Sequence, residues 1–123
     1  DAHHDGIANW GGESNVQILR NKILNAIGET SAMFITPDYG NMTNWLVDGN
    51  YMAGGGYTCY CGLQSHGTGY KATGVKVTNN IFGLDFFPNA GNFGATAYMM
   101  STASGTGNVF SGNTYSNGTA VVP

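Results

Sequence analysis

The fold is decided by the segment Asn44-Trp45-Leu46-Val47-Asp48-Gly49-Asn50-Tyr51-Met52, because its pattern occurs four times in the chain. An apolar residue usually lies five positions before an asparagine, another lies three before it, and a third lies two after it. The aligned asparagines are Asn21, Asn50, Asn80 and Asn113, at spacings of 29, 30 and 33 residues. Self-similarity at such a spacing indicates a repeat architecture.

The apolar positions form three columns across the four repeats. The column at −5 holds Val16, Trp45, Val75 and, breaking the pattern, Asn108; the column at −3 holds Ile18, Val47, Val77 and Phe110; the column at +2 holds Ile23, Met52, Phe82 and Tyr115. Positions −5 and −3 share one face of a strand, because side chains alternate along a strand. We therefore predict one strand before each asparagine and a second strand after it, both facing the same interior.

The asparagines are predicted to be structural residues at the corners of the coils. Asparagine tolerates the left-handed backbone that a sharp bend requires. The preceding residues, which also suit a tight bend, are Arg20, Gly49, Asn79 and Gly112. When coils stack, the amide side chains of Asn21, Asn50, Asn80 and Asn113 can also form a hydrogen-bonded ladder.

Further strand candidates lie between the repeats, at residues 5–10, 31–36, 57–61 and 96–100. In two of them we expect the side chains of Met33, Ile35, Cys59 and Cys61 to point inward. Together these segments predict an all-β parallel β-helix of about four coils, forming a single domain over residues 1–123. The first coil would expose an apolar end, so we expect either a fragment of a longer stack or a subunit covered by a partner.

Composition excludes several classes of protein. Of 123 residues, 20 are glycine, 14 asparagine and 12 threonine, whereas charged residues make up 9%. Four scattered cations in a chain of net charge −3 provide no electrostatic footprint for nucleic acid. No apolar run approaches the roughly 18–20 residues of a membrane span. The composition suits short strands, many turns and an extracellular protein.

The segments His4-Asp5-Gly6-Ile7, Gly11-Gly12 and Asn15-Val16-Gln17-Ile18 resemble a pattern of the right-handed parallel β-helix superfamily. The resemblance covers nearly the whole chain, as the C-terminal coils of a larger helix. That superfamily includes polysaccharide lyases, glycoside hydrolases, uronan epimerases, adhesins and phage tailspikes, so the motifs are specific for the fold rather than the function.

The resemblance implies two alternative functions. One is an extracellular or virion-surface β-helix that binds or processes a polysaccharide, lyase-like or epimerase-like at most. The other is a non-catalytic structural or adhesive module, such as a phage tail component or a filament subunit, that associates with itself through exposed coil ends. Whether the chain is an enzyme stays open, and the cofactor is unknown, with Ca²⁺ the ion that a lyase of this type often uses.

The densest polar cluster, His3, His4 and Asp5, is the candidate catalytic group. A histidine could act as a base with the aspartate orienting it. The alternative, which we favour for Asp5, is that this carboxylate caps the turn before Gly6. Elsewhere, Lys76 and Asp48 could pair across coils on the outer surface. We interpret such a pair as a surface ion pair rather than as a catalytic one.

Aromatic side chains near loops are the candidate ligand contacts, because exposed rings stack on sugar faces. They are Trp10, Tyr39, Tyr70 and Phe87. Trp45 lies in an inward column and is predicted to belong to the core. Three interpretations of Cys59 and Cys61 are open. They are two small apolar residues, a disulfide near the upper limit of the Cα–Cα distance, or a soft-metal site with His3, His4 or His66. The first is favoured, and no metal ligand is assigned.

Overall fold

The computed structural model describes residues 3–123, and within them the chain forms twelve β-strands and no helix. The strands are β1 Ile7–Asn9, β2 Ser14–Leu19, β3 Lys22–Asn25, β4 Met33–Ile35, β5 Met42–Asp48, β6 Tyr51–Gly54, β7 Tyr57–Cys61, β8 Ala72–Thr78, β9 Ile81–Gly83, β10 Gly94–Ala97, β11 Val109–Ser111 and β12 Thr114–Tyr115.

These strands form three parallel sheets, which we name A, B and C. Sheet A has the order β1-β4-β7-β10, sheet B β2-β5-β8-β11, and sheet C β3-β6-β9-β12. Each successive set of three strands is one coil, so residues 3–123 make about four coils. The prediction of an all-β parallel β-helix is confirmed.

The predicted apolar columns form the interior. Parallel registration places Val16, Trp45 and Val75 in one row of sheet B, and Ile23, Met52, Phe82 and Tyr115 in one row of sheet C. Trp45 is 2% exposed and donates from Nε1 to the Glu13 carbonyl at 2.9 Å. Met33, Ile35, Cys59 and Cys61 are fully buried in the same core, as predicted for sheet A.

The four corner asparagines are joined by an amide ladder. The backbone N–H and the Nδ2 of Asn50 both donate to Oδ1 of Asn80, at 2.9 and 3.0 Å. The same pair of bonds joins Asn21 to Asn50 and Asn80 to Asn113. Each buried amide also donates to a strand carbonyl of the preceding coil, as Asn50 does to Ile18 at 2.8 Å.

The left-handed backbone lies one residue earlier than expected. The residues with positive φ are Arg20 (52°), Gly49 (69°), Asn79 (55°) and Gly112 (68°), rather than the ladder asparagines themselves. The bend is made before the asparagine, so that its amide is directed along the stack toward the next coil. The sequence therefore locates the corner correctly, but the left-handed residue is the one before the asparagine.

A second column of left-handed residues lies near the start of sheet B and was not predicted. It contains Asn15 (61°), Asn44 (55°), Gly74 (64°) and Gly107 (69°). The polar residue that breaks the inward column follows this position. The Oδ1 of Asn108 accepts from Val75 N at 2.9 Å, and its Nδ2 donates to the carbonyls of Ala72 and Ser101. Because its amide is fully bonded, Asn108 can occupy a buried position.

The two ends of the stack differ. On the first coil, the inward side chains of Ile7, Val16 and Ile18 are only half-buried. At the other end the C-terminal segment folds back, and Val121 N donates to the Asn113 carbonyl at 3.0 Å. Val121 is 6% exposed and belongs to the core cluster. The chain therefore covers part of its last coil itself, whereas the inward side chains of the first coil are only half-buried among the described residues.

Two expectations about individual residues are corrected. Cys59 and Cys61 form a disulfide inside the helix, with Cα atoms 5.6 Å apart, well within the range of disulfides. The favoured interpretation of two unpaired apolar residues is therefore wrong, and so is a metal site with the histidines, because the two sulfurs are bonded to each other inside the core. Lys76 and Asp48 do not pair: Lys76 lies beside Leu46, and Asp48 accepts hydrogen bonds from Thr78 at 2.6 Å and Asn79 at 3.0 Å.

Candidate functional site

The outer face of sheet A carries one aromatic ring from each coil, which we call the aromatic row. Its members are Trp10, Phe34, Tyr60 and Tyr98, and consecutive ring centroids lie 5.7, 5.0 and 5.7 Å apart. Phe34 and Tyr60 point outward because their neighbours in β4 and β7 point into the core. The row therefore runs along the stacking direction, across all four coils.

The row is anchored in the middle and accessible at its ends. Phe34 is 5% exposed, whereas Trp10 is 37% and Tyr98 is 45% exposed. Tyr57 contacts Tyr60 edge-on at 5.9 Å and links the row to the exposed Phe93. Aromatic pairs at these distances stabilise one another, so the accessible rings are held by rings that are themselves packed.

Burial raises the pKa of the Tyr60 phenol, and the neighbouring Tyr57, Tyr98 and Asp5 raise it further. The hydroxyl therefore stays protonated well above neutral pH. A neutral phenol both donates and accepts hydrogen bonds. Tyr60 thus adds a hydroxyl group to the aromatic row.

Two adjoining grooves flank the aromatic row. The first has a volume of about 350 Å³ and is lined by His3, Thr30, Phe34, Tyr60, Ser65, His66 and Tyr98. The second, of about 510 Å³, is lined by His3, Trp10, Tyr39 and His66. His3 and His66 line both grooves, so the loop that carries His66 folds back toward the start of the chain.

A buried carboxylate holds that loop in place. Asp38, which is 0% exposed, accepts hydrogen bonds from Ser65 N, from Ser65 Oγ at 2.7 Å and from Thr36 Oγ1 at 2.8 Å. The Nδ1 of His66 lies 3.4 Å from Asp38 Oδ2. These contacts tie the loop between β7 and β8 to the turn after β4, and so build the wall of both grooves.

The pKa of Asp38 is set by two opposing effects. Desolvation by burial raises it, but the hydrogen bonds from Ser65, Thr36 and His66 outweigh this effect and hold the pKa below its usual value. The group is therefore an ionised carboxylate at neutral pH. As an anion, Asp38 accepts the hydrogen bonds that hold the loop between β7 and β8 in place.

Ser65, His66 and Asp38 do not form a nucleophilic triad. Ser65 Oγ lies 2.9 Å from Nδ1 of His66, the same ring nitrogen that faces Asp38. A triad requires the serine and the aspartate on opposite ring nitrogens, so that the imidazole passes a proton between substrate and nucleophile. The arrangement orients the imidazole toward the grooves without activating the serine.

The three residues predicted as catalytic have separate positions. His3 lines both grooves and its Nδ1 lies 3.6 Å from Asp5 Oδ2. The Asp5 side chain is 6% exposed and accepts from Ser31 Oγ on the next coil, instead of capping the turn before Gly6. His4 is half-buried, and its carbonyl accepts from Asn25 Nδ2. Only His3 of the three thus lines the grooves.

The four predicted ligand contacts divide in the same way. Trp10 and Tyr39 lie together in the second groove. Tyr70 lines a different cavity of about 370 Å³, together with Lys71 and Met100. Phe87 is half-buried in the segment between β9 and β10. The structure therefore brings two of the four to the aromatic face, by which we mean the aromatic row together with its two grooves.

The sequence analysis did not assign Phe34, Tyr60 or Tyr98 to this face. A signal was present for two of them: Phe34 alternates with the inward Met33 and Ile35, and Tyr60 alternates with the two cysteines. An aromatic residue between two inward residues must point outward from a strand. Tyr98 follows β10, so strand alternation gives no direction for it.

The permanent cations lie away from the aromatic face. Lys22 lies 5.6 Å from the Tyr51 ring centroid, Lys71 lines the Tyr70 cavity, and Lys76 lies on sheet B. Arg20 lies near Asp48, whose pKa is lowered by hydrogen bonds from Thr78 and Asn79 and, to a smaller extent, by that arginine. The side chains that line the grooves therefore carry hydroxyl groups, imidazoles and aromatic rings, and within residues 3–123 no permanent positive charge is among them.

Across residues 3–123, no group of three or more His, Cys, Asp or Glu side chains is arranged to hold a metal ion. In the same part of the chain there is no helix with the length and apolarity needed to cross a membrane.

The fold and this face define a parallel β-helix protein with an aromatic outer surface. Comparison with protein-family models, curated proteins and solved structures finds no match. Because one fold hosts many functions, the function has to follow from the chemistry of the site.

Proposed function

We propose that this protein is an extracellular or virion-surface β-helix that binds a polysaccharide along its aromatic row. The observation that carries the proposal is the row itself, with one ring from each of the four coils. The C–H bonds on one side of a pyranose ring form an apolar surface that packs on aromatic rings. A row of rings along the stacking direction suits an extended chain better than a single compact ligand.

The polar groups beside the row support the same ligand class. Thr30, Ser65, Tyr60 and Tyr98 supply hydroxyls, and His3 and His66 supply ring nitrogens. Hydroxyl groups donate and accept, as the hydroxyls of a sugar do. Apolar walls with a few polar groups are typical of ligand sites.

The site favours binding over cleavage. A glycoside hydrolase uses two carboxyl groups at the scissile bond. Asp5 and Asp38, the carboxylates that lie beside the groove-lining histidines, are buried and already accept hydrogen bonds from Ser31 and Ser65. A lyase of the kind that the sequence resembles needs a lysine or arginine base, and the cations lie elsewhere.

The proposal is tested by measuring the affinity of the protein for a panel of neutral glycans and uronans. We expect Tyr98→Ala and Trp10→Ala to weaken binding by about tenfold or more, which corresponds to about 1.4 kcal/mol. Tyr70→Ala is the matched control, because Tyr70 is also a half-exposed ring (43%) but lines a different cavity. Equal losses in all three variants, or no binding to any glycan, would contradict the proposal.

The same incubations distinguish binding from catalysis. Unsaturated or reducing ends released from the bound glycan would identify an enzyme. An intact glycan with unchanged chain length is the result expected for a binding module.

The half-buried inward side chains of the first coil favour a second candidate, a structural module that associates through its coil ends. Ile7, Val16 and Ile18 are half-buried there, and Asn21 is exposed at the start of the ladder. Sedimentation over a range of protein concentrations tests it. A monomer at all concentrations would argue against self-association, whereas a growing assembly would support it.

A further inference from the structure

We infer that the aromatic face selects uncharged glycan chains over uronate chains. The inference rests on the proposed function and specifies its ligand class. It is argued from the placement of charges around the two grooves, which are lined in part by rings of the aromatic row.

Negative charge lies directly behind the grooves. The Asp5 and Asp38 side chains are 6% and 0% exposed, and each lies behind a groove-lining imidazole, His3 or His66. Charges that are removed from water are screened less than surface charges, so their repulsion of a nearby carboxylate is stronger. An anionic sugar in either groove would face this repulsion at close range.

The field of Asp5 reaches the aromatic row. Among the groups that raise the pKa of Tyr60, Asp5 acts through its charge, after the larger effects of burial and of the two neighbouring tyrosines. The same field that disfavours a phenolate at Tyr60 would disfavour a carboxylate bound beside it.

No lysine or arginine lines either groove within the described part of the chain, so this repulsion is not offset by a permanent positive charge. The whole chain also carries a formal net charge of −3. The hydroxyl groups of the first groove match neutral sugar hydroxyls, and they do not provide the paired cationic donors that recognise carboxylates.

The test uses one glycan backbone in two charge states. The glycan that the panel identifies is compared with its derivative in which primary alcohols are oxidised to carboxylates; if a uronan is found, it is compared with its carboxyl-reduced form. Measurements are made at neutral and mildly alkaline pH, since imidazoles gain a charge in acid. We expect the uncharged form to bind at least about tenfold more tightly.

Added salt gives a second readout that does not depend on a variant folding. Salt screens the repulsion between buried charges and a ligand in an open groove only in part, so the affinity of the charged form should rise modestly with ionic strength, while that of the uncharged form should stay nearly constant. Lys76→Gln is the control variant, because it changes the net charge on sheet B and should leave the preference unchanged.

The two failures are distinguishable. Equal or tighter binding of the charged form, lost in Tyr98→Ala, would overturn this inference while leaving glycan binding at the aromatic row intact. Binding that is insensitive to Tyr98→Ala and Trp10→Ala would overturn the proposed function, and this inference with it.

Discussion

The Nδ1 atom of His66 lies 3.4 Å from the buried carboxylate of Asp38, a residue from the preceding coil. This contact joins the loop between β7 and β8 to the turn after β4. Because His66 lines both grooves, the shape of the candidate site depends on a polar connection between two loops rather than on the sheets alone. The connection can be tested through the ionisation of Asp38.

Replacing Asp38 by asparagine should destabilise the protein in a pH-dependent way. Near neutral pH we expect a loss of about 1–3 kcal/mol, because the bonds from Ser65 and Thr36 lose their ionised acceptor. The folded pKa of Asp38 lies below the usual value of 3.8. Its contribution is therefore fully present above that value and is lost as the pH falls through the folded pKa.

Urea unfolding at a series of pH values measures this difference. The gap between the wild-type protein and Asp38→Asn should be constant above about pH 5 and should narrow in stronger acid. Glu29→Gln is the control, since Glu29 is exposed. A gap that is zero at neutral pH, or that does not change in acid, would show that Asp38 does not hold the loop as an anion.

The amide ladder predicts unequal effects for two equivalent asparagines. Asn50 is 1% exposed and donates to the Ile18 carbonyl, so Asn50→Ala should leave buried groups unpaired and cost about 1–3 kcal/mol. Asn21 is exposed at the open end of the ladder. Asn21→Ala should therefore cost less than about 1 kcal/mol. Chemical unfolding of both variants checks the order, and a reversed order would contradict the ladder.

The interior of the coils was predictable because it depends on side-chain type at fixed offsets from the asparagines. The aromatic face was less predictable, since Trp10 and Tyr98 lie beyond the ends of β1 and β10. Their positions depend on how loops of unequal length return to the stack. The predicted pairing of Lys76 with Asp48 was wrong for a different reason. The parallel register aligns Lys76 with Leu46, and Asp48 with Thr78.

Two glycines with positive φ, Gly49 at a corner and Gly54 at the end of β6, should differ sharply in their tolerance of side chains. Gly49 has φ of 69°, and a Cβ there would meet only Arg20 Cγ, at 3.4 Å. The equivalent position holds Arg20 and Asn79 in neighbouring coils, both left-handed. Because asparagine adopts this conformation readily, Gly49→Asn should cost less than about 1 kcal/mol.

Gly54→Ala is the contrasting variant. Gly54 has φ of 90°, and an added Cβ would clash with the Asn25 carbonyl oxygen of the coil beneath. The two coils would have to separate, so this variant should fail to fold or should lose most of its stability. Thermal unfolding compares it with Gly49→Asn, and similar melting temperatures would contradict the register between β3 and β6.

Two adjacent valines near the C-terminus test whether the chain covers its own last coil. Val121 is 6% exposed and packs against the core, whereas Val122 is 83% exposed. Val121→Asp would place a carboxylate against apolar side chains, in addition to losing the burial of valine. Since burying a valine contributes about 1.5–3 kcal/mol, we expect a loss of at least that size. Val122→Asp adds the same charge one residue away and should be nearly neutral.

Urea unfolding measures both variants, and equal stabilities would mean that the C-terminal segment does not seal this end.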